Sequence, residues 1–456
     1  VTVQDRDRRS HRMLAGLLAD SHLMPLEQLP AKAAEHAEPA GLAHVTIYLA
    51  DLQRRVLRNL AEEGADECRQ RNHSSELRIE GTVPGRAFQY GRLLPAASAC
   101  PGKCRWWVPL LGGSERLGLL RVTTDADDRR TREDMQALAD AVALIVTVKR
   151  DYSDAYARTV RTESMNVAAE MQWRLLPPRS YADGRVVISA ALEPAYRVGG
   201  DAFDYALDGP LVHLSIFDAM GHDTAAGLTA SLAMGAGRNA RRRKAELVET
   251  TEEIERVLVE QFEGTRYATG VVARLDTGTG LFEWVNRGHH PPILIRGGRW
   301  VAELACAPGD PMGLGLGVAP QVCREQLEPG DRLVLYTDGI PEARTVTGRE
   351  FGLTGFLDFL IRHHADRLPL PETLCRLMRR VSDHQVGEFQ DDATVLFCAW
   401  LGCFPDDTER AAAVAGVPLP QSTPDADLPR SAGSAVDFPD PPRSWRRTGA
   451  PDRAPG

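Results

Sequence analysis

The stretch Gly330–Arg344, GDRLVLYTDGIPEAR, is near-continuously apolar from Leu333 to Tyr336 and then delivers Asp338 to a turn opened by Gly339. An apolar run of strand length that ends on a carboxylate reads as a buried strand carrying a charge at its rim. Three other places repeat the arrangement. In VGGDAFD (198–204) the chain bends closely at Gly199 and Gly200 before Asp201, with Asp204 three residues on. In LVHLSIFDAMGHD (211–223) a strand delivers Asp218 to a loop opened by Gly221. In QDDATVLFCAWL (390–401) Asp391 and Asp392 precede a strand instead of following one.

Any one of these aspartates, taken singly, serves equally well as a turn residue capping local amides. Together they set several negative charges at the rims of buried strands, which is costly unless cations neutralise them. Hard oxygen donors without clustered His or Cys suit magnesium or manganese, with waters completing the octahedron. Two such cations about 3.5–4 Å apart acidify a bridging water and stabilise in-line attack on phosphorus, so phosphomonoester hydrolysis is the favoured reaction.

Six blocks in order, ALEPAYRVGGDAFD, SIFDAMGHDTAAGLTASL, YATGVVARLDTGTGLFEWVNRGHHPPILIRGG, GDPMGLG, GDRLVLYTDGIPEAR and QDDATVLFCAW, resemble the SpoIIE-type phosphatases. These are bacterial relatives of the type 2C metal-dependent serine/threonine phosphatases. Six blocks in order are far more specific than any single motif. MQWRLLPP (171–178) resembles the connector that precedes that domain.

The resemblance implies two β-sheets packed face to face, helices outside, and two manganese or magnesium ions between the sheets at one edge. It implies that Asp218 contacts both ions and that Asp201 and the backbone carbonyl of Ala219 serve one of them. Asp338 and Asp391 hold the other, with Asp392 the alternative to Asp391 because the doubled aspartate leaves the register open. Asn286, Gly288 and His289 match a second motif that shapes the site.

His222 and His289 are the candidate proton donors, and each solitary histidine reads first as a structural hydrogen-bonder. Arg197 is placed either to meet a phosphate or to face solvent. Two departures stand out: Asp223 where relatives carry Gly, and Ala219 where a larger residue is common. Neither removes an expected ligand position. The resemblance further implies a phosphoserine or phosphothreonine substrate on a STAS-type anti-sigma-factor antagonist in a partner-switching pathway.

Outside this half, HVTIYLADLQ and RRVLRNLAEEG read as a hairpin, GTVPGRAFQYGRLL as a short helix, and CRWWVPLLGGSERLGLLRVTTD as two strands joined at Gly112-Gly113. That order resembles a GAF domain, a small α+β module that binds a ligand or a partner. Trp106 and Trp107 are candidates to line its pocket, although one of two adjacent strand residues ordinarily packs the core. Met135, Leu138, Val142, Ile145, Tyr152, Tyr156 and Val160 form a helical stripe. Such a stripe fits a coiled-coil homodimer as well as a helix packed on its own domain.

The fold class expected is α+β multidomain: a GAF-like α/β sensor domain followed by a type 2C-like phosphatase αββα sandwich. Its boundaries are a flexible N-terminus over 1–12, the sensor over 13–148, a helical connector over 149–178, the phosphatase domain over 179–402 and a disordered Pro-rich tail over 403–456.

Composition narrows the function. Apolar residues make up 43% and charged residues 26%, ordinary for a chain with a sizeable core. A formal charge of -9 argues against nucleic acid as the main partner, and the basic run Arg241–Lys244 reads as a solvated helix end. There is no apolar run of about eighteen residues and no signal core in VTVQDRDRRS, so a cytoplasmic protein without a membrane span is expected. The eight cysteines, Cys68, Cys100, Cys104, Cys306, Cys323, Cys375, Cys398 and Cys403, lack a framework of paired spacings and read as free thiols. A nucleotide enzyme is disfavoured because no G-x-x-x-x-G-K-[ST] loop is present. A non-catalytic scaffold of the same fold is the alternative to a signal-gated phosphatase, and the intact aspartate set argues against it.

Overall fold

Helix α1 (Val3–Ser21), helix α2 (Leu29–Ala37), strand β1 (Leu42–Ala50), strand β2 (Val56–Asn59) and strand β3 (Glu76–Arg78) open the chain in a computed structural model. Helix α3 (Val83–Tyr90), strand β4 (Leu94–Ala96), strand β5 (Cys104–Gly112) and strand β6 (Glu115–Thr124) follow. The described residues are 3–60, 75–97, 102–197, 199–365, 368–385, 389, 391–403 and 408–419. Cys68, Cys100 and most of the expected tail lie outside them.

The six strands form one antiparallel sheet in the order β3-β2-β1-β6-β5-β4. Alternation along β1 sends Ile47 and Leu49 into a core with Met13, Leu17, Leu29, Leu138 and Val142, and sends Tyr48 to the opposite face. The same rule splits the tryptophans. Trp106 joins the larger core, and Trp107 packs beneath α3 with Tyr48, ring centroids 5.7 Å apart. Both hairpins and the short helix form where the sequence places them, and Thr82 caps α3 by accepting from the Gly85 amide at 3.0 Å.

Several expectations are corrected here. The first turns of α1 occupy residues expected to be flexible, because Arg6 pairs with Asp128 at 2.9 Å and Asp7 pairs with Arg130. The long stripe is not one helix. Helix α4 (Arg129–Lys149) ends, and helices α5 (Asp154–Val160) and α6 (Val167–Leu175) restart behind caps at Ser153 and Asn166. Met135, Leu138, Val142 and Ile145 are spent inside their own core. The expected tail contains a helix: α11 (Thr408–Ala415) buries Ala411, Ala412 and Ala415. A locally Ala-rich, helix-favouring TERAAAVA was averaged away by the Pro-rich composition beyond it.

The second half is a sandwich. Strand β9 (Asp201–Asp208), β10 (Leu211–Ala219), β11 (Ala268–Asp276), β12 (Leu281–Arg287) and β15 (Val322–Gln326) make a five-stranded sheet in the order β15-β12-β11-β10-β9. Strands β7 (Ser180–Ala182), β8 (Val186–Glu193), β13 (Ile293–Arg296), β14 (Trp300–Glu303), β16 (Arg332–Tyr336) and β17 (Ala393–Trp400) make a six-stranded sheet, β14-β13-β16-β17-β8-β7. The inner faces meet in one core that includes Ile188, Phe203, Ile216, Phe282, Trp284, Leu335 and Leu396.

Helix α7 (Thr224–Arg242) and helix α8 (Leu247–Phe262) cover the five-stranded sheet. Helix α9 (Gly352–Ala365), helix α10 (Leu370–Gln385) and α11 cover the six-stranded one. The αββα architecture expected for this half is the one observed.

Cys306 and Cys323 are joined in a disulfide, which corrects the reading of every cysteine as a free thiol. They stand 17 positions apart, and the loop before β15 doubles back to bring their Cα atoms to 5.9 Å, a return that no spacing pattern announces.

Candidate active site

Both sheets deliver carboxylates to one edge. Strand β9 begins at Asp201 and lies antiparallel to β10, with Asp201 opposite Asp218 in register. Strand β16 runs straight into Thr337 and Asp338, and Asp391 and Asp392 stand immediately before β17, its neighbour. The sheets are tied there. Thr337 Oγ1 donates to Asp201 Oδ2 at 2.6 Å and accepts from the Thr394 amide at 2.9 Å.

The glycines are needed for closeness. A Cβ on Gly199 would sit 2.6 Å from His222 Cα and 2.9 Å from Asp392 Oδ2, and one on Gly200 would collide with the Ala219 carbonyl oxygen. Without side chains, the strip lets Asp392 Oδ2 accept from the amides of Gly199 (2.8 Å) and Asp201 (3.2 Å).

The electrostatics show how closely the charges are gathered. Burial, then Asp218 and Asp392, hold the Asp201 carboxyl well above its ordinary range. Burial, then Asp338, Asp391 and Asp392, push Asp218 up to about 7. Asp392 is raised to about 6 by burial, against the Asp201 and Gly199 amides that lower it. Asp338 is raised by burial and then by Asp391 and Glu342. Among the described residues none of the five is ion-paired to a basic side chain.

The other singled-out residues have different places. Ala219 ends β10, its amide bonded to the Gly200 carbonyl at 3.0 Å. His289 is buried and structural: Nδ1 is 2.8 Å from Thr269 Oγ1 and Nε2 is 3.0 Å from the Tyr336 carbonyl. Burial, then His290, hold its pKa down to about 3. Asn286 clamps the His289 backbone from both sides at 2.8 Å, with Gly288 at φ +66° between them.

His222 and Arg197 are exposed on loops beside the edge. Asp223 caps α7 by accepting from the Ala226 amide at 2.8 Å and pairs with Arg266 at 3.2 Å, which gives that departure a structural reason. Asp204 is three residues from Asp201 and so on the other face of β9. There it is buried against Arg238 (2.6 Å) and Arg241 (2.8 Å) of α7. Arg241 is therefore half-buried and paired, not part of a merely solvated helix end.

Two residues of this site escaped the sequence reading. Thr337 was hidden as one polar residue inside GDRLVLYTDG, and Gln172 as one polar residue of the connector. Only the interruption of an apolar run marked the first.

Among the described residues no three His, Cys, Asp or Glu side chains close on a single point tightly enough to hold an ion by themselves. The donors present are oxygen only, several are buried, and they repel one another. That set fits hard divalent cations drawn in among the carboxylates with waters completing each shell, and does not fit a cage already closed without the ion.

Residues 208–401 match the family model of Stage II sporulation protein E (SpoIIE), which takes in the last five of the six sequence blocks. Among curated proteins the chain is similar to the phosphoserine phosphatase RsbU of Bacillus subtilis (strain 168), 23% identical over 188 residues, 40% of this chain and 55% of that one. It is also similar to the protein IcfG of a Synechocystis species, 24% identical over 131 residues, 28% of this chain and 20% of that one. The chain thus spans about half the length of the first relative and a fifth of the second. Among solved structures it is similar to the RsbU and RsbW domains of a Mycobacterium tuberculosis protein, at 25% identity over 49% of this chain and 64% of that one, with a TM-score of 0.44. No helix among the described residues is long and apolar enough to cross a membrane.

Proposed function

We propose that this chain is a metal-dependent serine/threonine phosphoprotein phosphatase. The observation that carries the reading is the convergence of Asp201, Asp218, Asp338, Asp391 and Asp392 on one sandwich edge, where burial and neighbouring carboxylates raise Asp201, Asp218, Asp338 and Asp392 and, among the described residues, none of the five is ion-paired to a basic side chain. The match of 208–401 to the SpoIIE model supports it.

Asp201, Asp218 and the Ala219 carbonyl would hold one magnesium or manganese ion, and Asp218, Asp338 and Asp391 a second. When bound, the two cations acidify a water and stabilise in-line attack on phosphorus. The exposed Asp391, which acts on both Asp218 and Asp338, suits a ligand role better than Asp392, whose Oδ2 is already engaged by two amides. The protein's own contribution is to keep Asp201 and Asp218 in register, with Thr337 fixing the Asp201 rotamer and His289 locking the two sheets.

The substrate under this reading is a phosphorylated STAS-type anti-sigma-factor antagonist, and the cellular place the cytoplasm. Naming of the similar protein as a phosphoserine phosphatase supports the reaction class. The N-terminal module, of GAF type, senses a ligand or partner and gates the site.

Contacts between the halves support the gating. Gln53 donates to Glu193 at 3.0 Å, Arg179 to the Leu52 carbonyl at 2.6 Å, and Gln89 to Glu372 at 2.9 Å in a buried bond. Exposed Leu144, Val148 and Tyr152, with Val167, Met171 and Leu175, suit a homodimer through the connector. The test is phosphate release from a generic phosphomonoester and from a phosphorylated STAS protein, with manganese or with chelator. Metal-dependent release from both supports the reading; a folded, manganese-loaded chain inactive on both leaves the scaffold.

A further inference from the structure

Helix α6 brings a single buried amide to the back of the strip that carries Asp201. Gln172 is 0% exposed, and its Nε2 donates to the carbonyl oxygens of Gly199 (3.1 Å) and Asp201 (3.2 Å). The amides of the same two residues are taken by Asp392 Oδ2. The strip is therefore held along both edges, by a connector side chain on its carbonyls and by a site carboxylate on its amides.

This grip is needed because of what the strip is made of. Two adjacent glycines are the most freely rotating backbone available, chosen here for close approach and not for stiffness. Yet they must hold Asp201 opposite Asp218 against electrostatic repulsion. An amide with two N–H donors can bind two carbonyls at once, which an apolar side chain of equal length cannot do. Oε1 has no partner among the described residues, so the polar work of the side chain lies at its donor end.

The helix that carries Gln172 is fastened separately. Trp173 Nε1 donates to the Ala195 carbonyl at 2.7 Å, the Asn166 amide donates to the Tyr196 carbonyl at 3.0 Å, and the Arg179 guanidinium lies 4.8 Å from the Trp173 ring centre. Trp173 and Asn166 thus hold α6 in place through bonds separate from those that Gln172 makes to Gly199 and Asp201.

We infer that Gln172 is a positioning residue for the metal site, holding Gly199–Asp201 so that Asp201 keeps the place opposite Asp218 that a divalent cation needs. The inference rests on the metal-dependent reading above. It makes Gln172 the point at which the connector reaches the chemistry.

The experiment is manganese binding to the full chain, followed by loss of the free-ion paramagnetic resonance signal, alongside the melting midpoint without metal. Gln172→Met keeps length and packing but no donors, and Gln172→Asn keeps donors that no longer span both carbonyls. Trp173→Phe loosens the same helix without touching the strip. The expected result is manganese affinity about tenfold weaker in both Gln172 variants, a higher half-saturating manganese concentration with kcat less affected, and near-native binding in Trp173→Phe. A folded Gln172→Met or Gln172→Asn chain that binds manganese like the native one overturns the inference, as does an equal loss in Trp173→Phe. A native chain that binds manganese but releases no phosphate sinks the phosphatase reading alone, and the binding comparison still decides Gln172. A native chain that binds no manganese overturns both.

Discussion

Thr337 on one sheet donates to Asp201 on the other at 2.6 Å, while its own oxygen accepts from the Thr394 amide. This buried hydroxyl joins the two layers of the sandwich at the edge where the carboxylates meet. A carboxylate that repels its neighbours will swing away unless something holds its rotamer, and here a neutral donor does so without removing the charge that a cation needs.

Replacing Thr337 by Val keeps the shape and removes the hydroxyl. It leaves one Asp201 oxygen and the Thr394 amide without that partner, at a cost of about 1–3 kcal/mol. Thr337→Val is expected to lose about tenfold or more in metal-dependent phosphate release, with Thr337→Ser close to native. Activity and denaturant titrations on both variants check this; a native-like Thr337→Val removes the hydroxyl from the account.

The raised carboxylates make a statement about stability as well. Asp218 titrates near 7 in the folded chain against 3.8 for the free side chain, and Asp392 near 6. The folded state therefore holds more protons than the unfolded one between those values, so stability falls as pH rises through the interval. Asp128, Asp223 and Glu283 are shifted the other way and lose their contributions only below about pH 4.5. The buried imidazoles of His289 and His364, held down to about 3 and about 4, run the other way: they stay neutral in the fold and add stability as pH rises through the ordinary histidine range. The carboxylates' share is therefore read as a difference, and without metal the native chain is expected to lose stability relative to Asp218→Asn as pH rises from about 5.5 to about 7.5. Asp218→Asn removes one buried charge and should raise the metal-free midpoint near pH 7.5 by roughly 2–4 °C. Calorimetry across pH decides it, and a midpoint difference between the native and Asp218→Asn chains that does not change between pH 5.5 and 7.5 without metal contradicts the electrostatics.

Asp204 differs from its neighbour Asp201 in everything but sequence proximity. Removing it strands Arg238 and Arg241 beside a buried face, which costs about 3 kcal/mol. Asp204→Ala is expected to lower the denaturation midpoint sharply while manganese affinity stays within a few-fold of native. Asp201→Ala should do the reverse. An Asp204→Ala chain of native stability, or one that no longer binds metal, assigns the residue wrongly.

Much of this site was legible in the sequence because strand rims are periodic objects. An apolar run such as Leu333–Tyr336 fixes which residue comes out at its end, so Asp338 and Asp218 were visible without coordinates. Thr337 and Gln172 were not, since a lone Thr or Gln has no local pattern and their partners lie across the fold: Asp201 is 136 residues from Thr337 and 27 or more separate Gln172 from its carbonyls. The two faces of β9 were also unread, although the odd spacing between Asp201 and Asp204 contains that information. The helix at Thr408–Ala415 failed for the opposite reason, as a local feature lost beneath an averaged composition, while the Cys306–Cys323 bond depends on a loop return that no spacing pattern announces.

The central claim is that these carboxylates bind cations that hydrolyse phosphomonoesters. Its most direct test is phosphate release from a generic phosphomonoester by the native chain, Asp218→Ala and Asp338→Ala, each shown to be folded, with manganese added or chelated. The account predicts turnover by the native chain that chelation abolishes and that neither variant recovers at saturating manganese. Turnover that survives in folded Asp218→Ala, or that is indifferent to chelation, contradicts it.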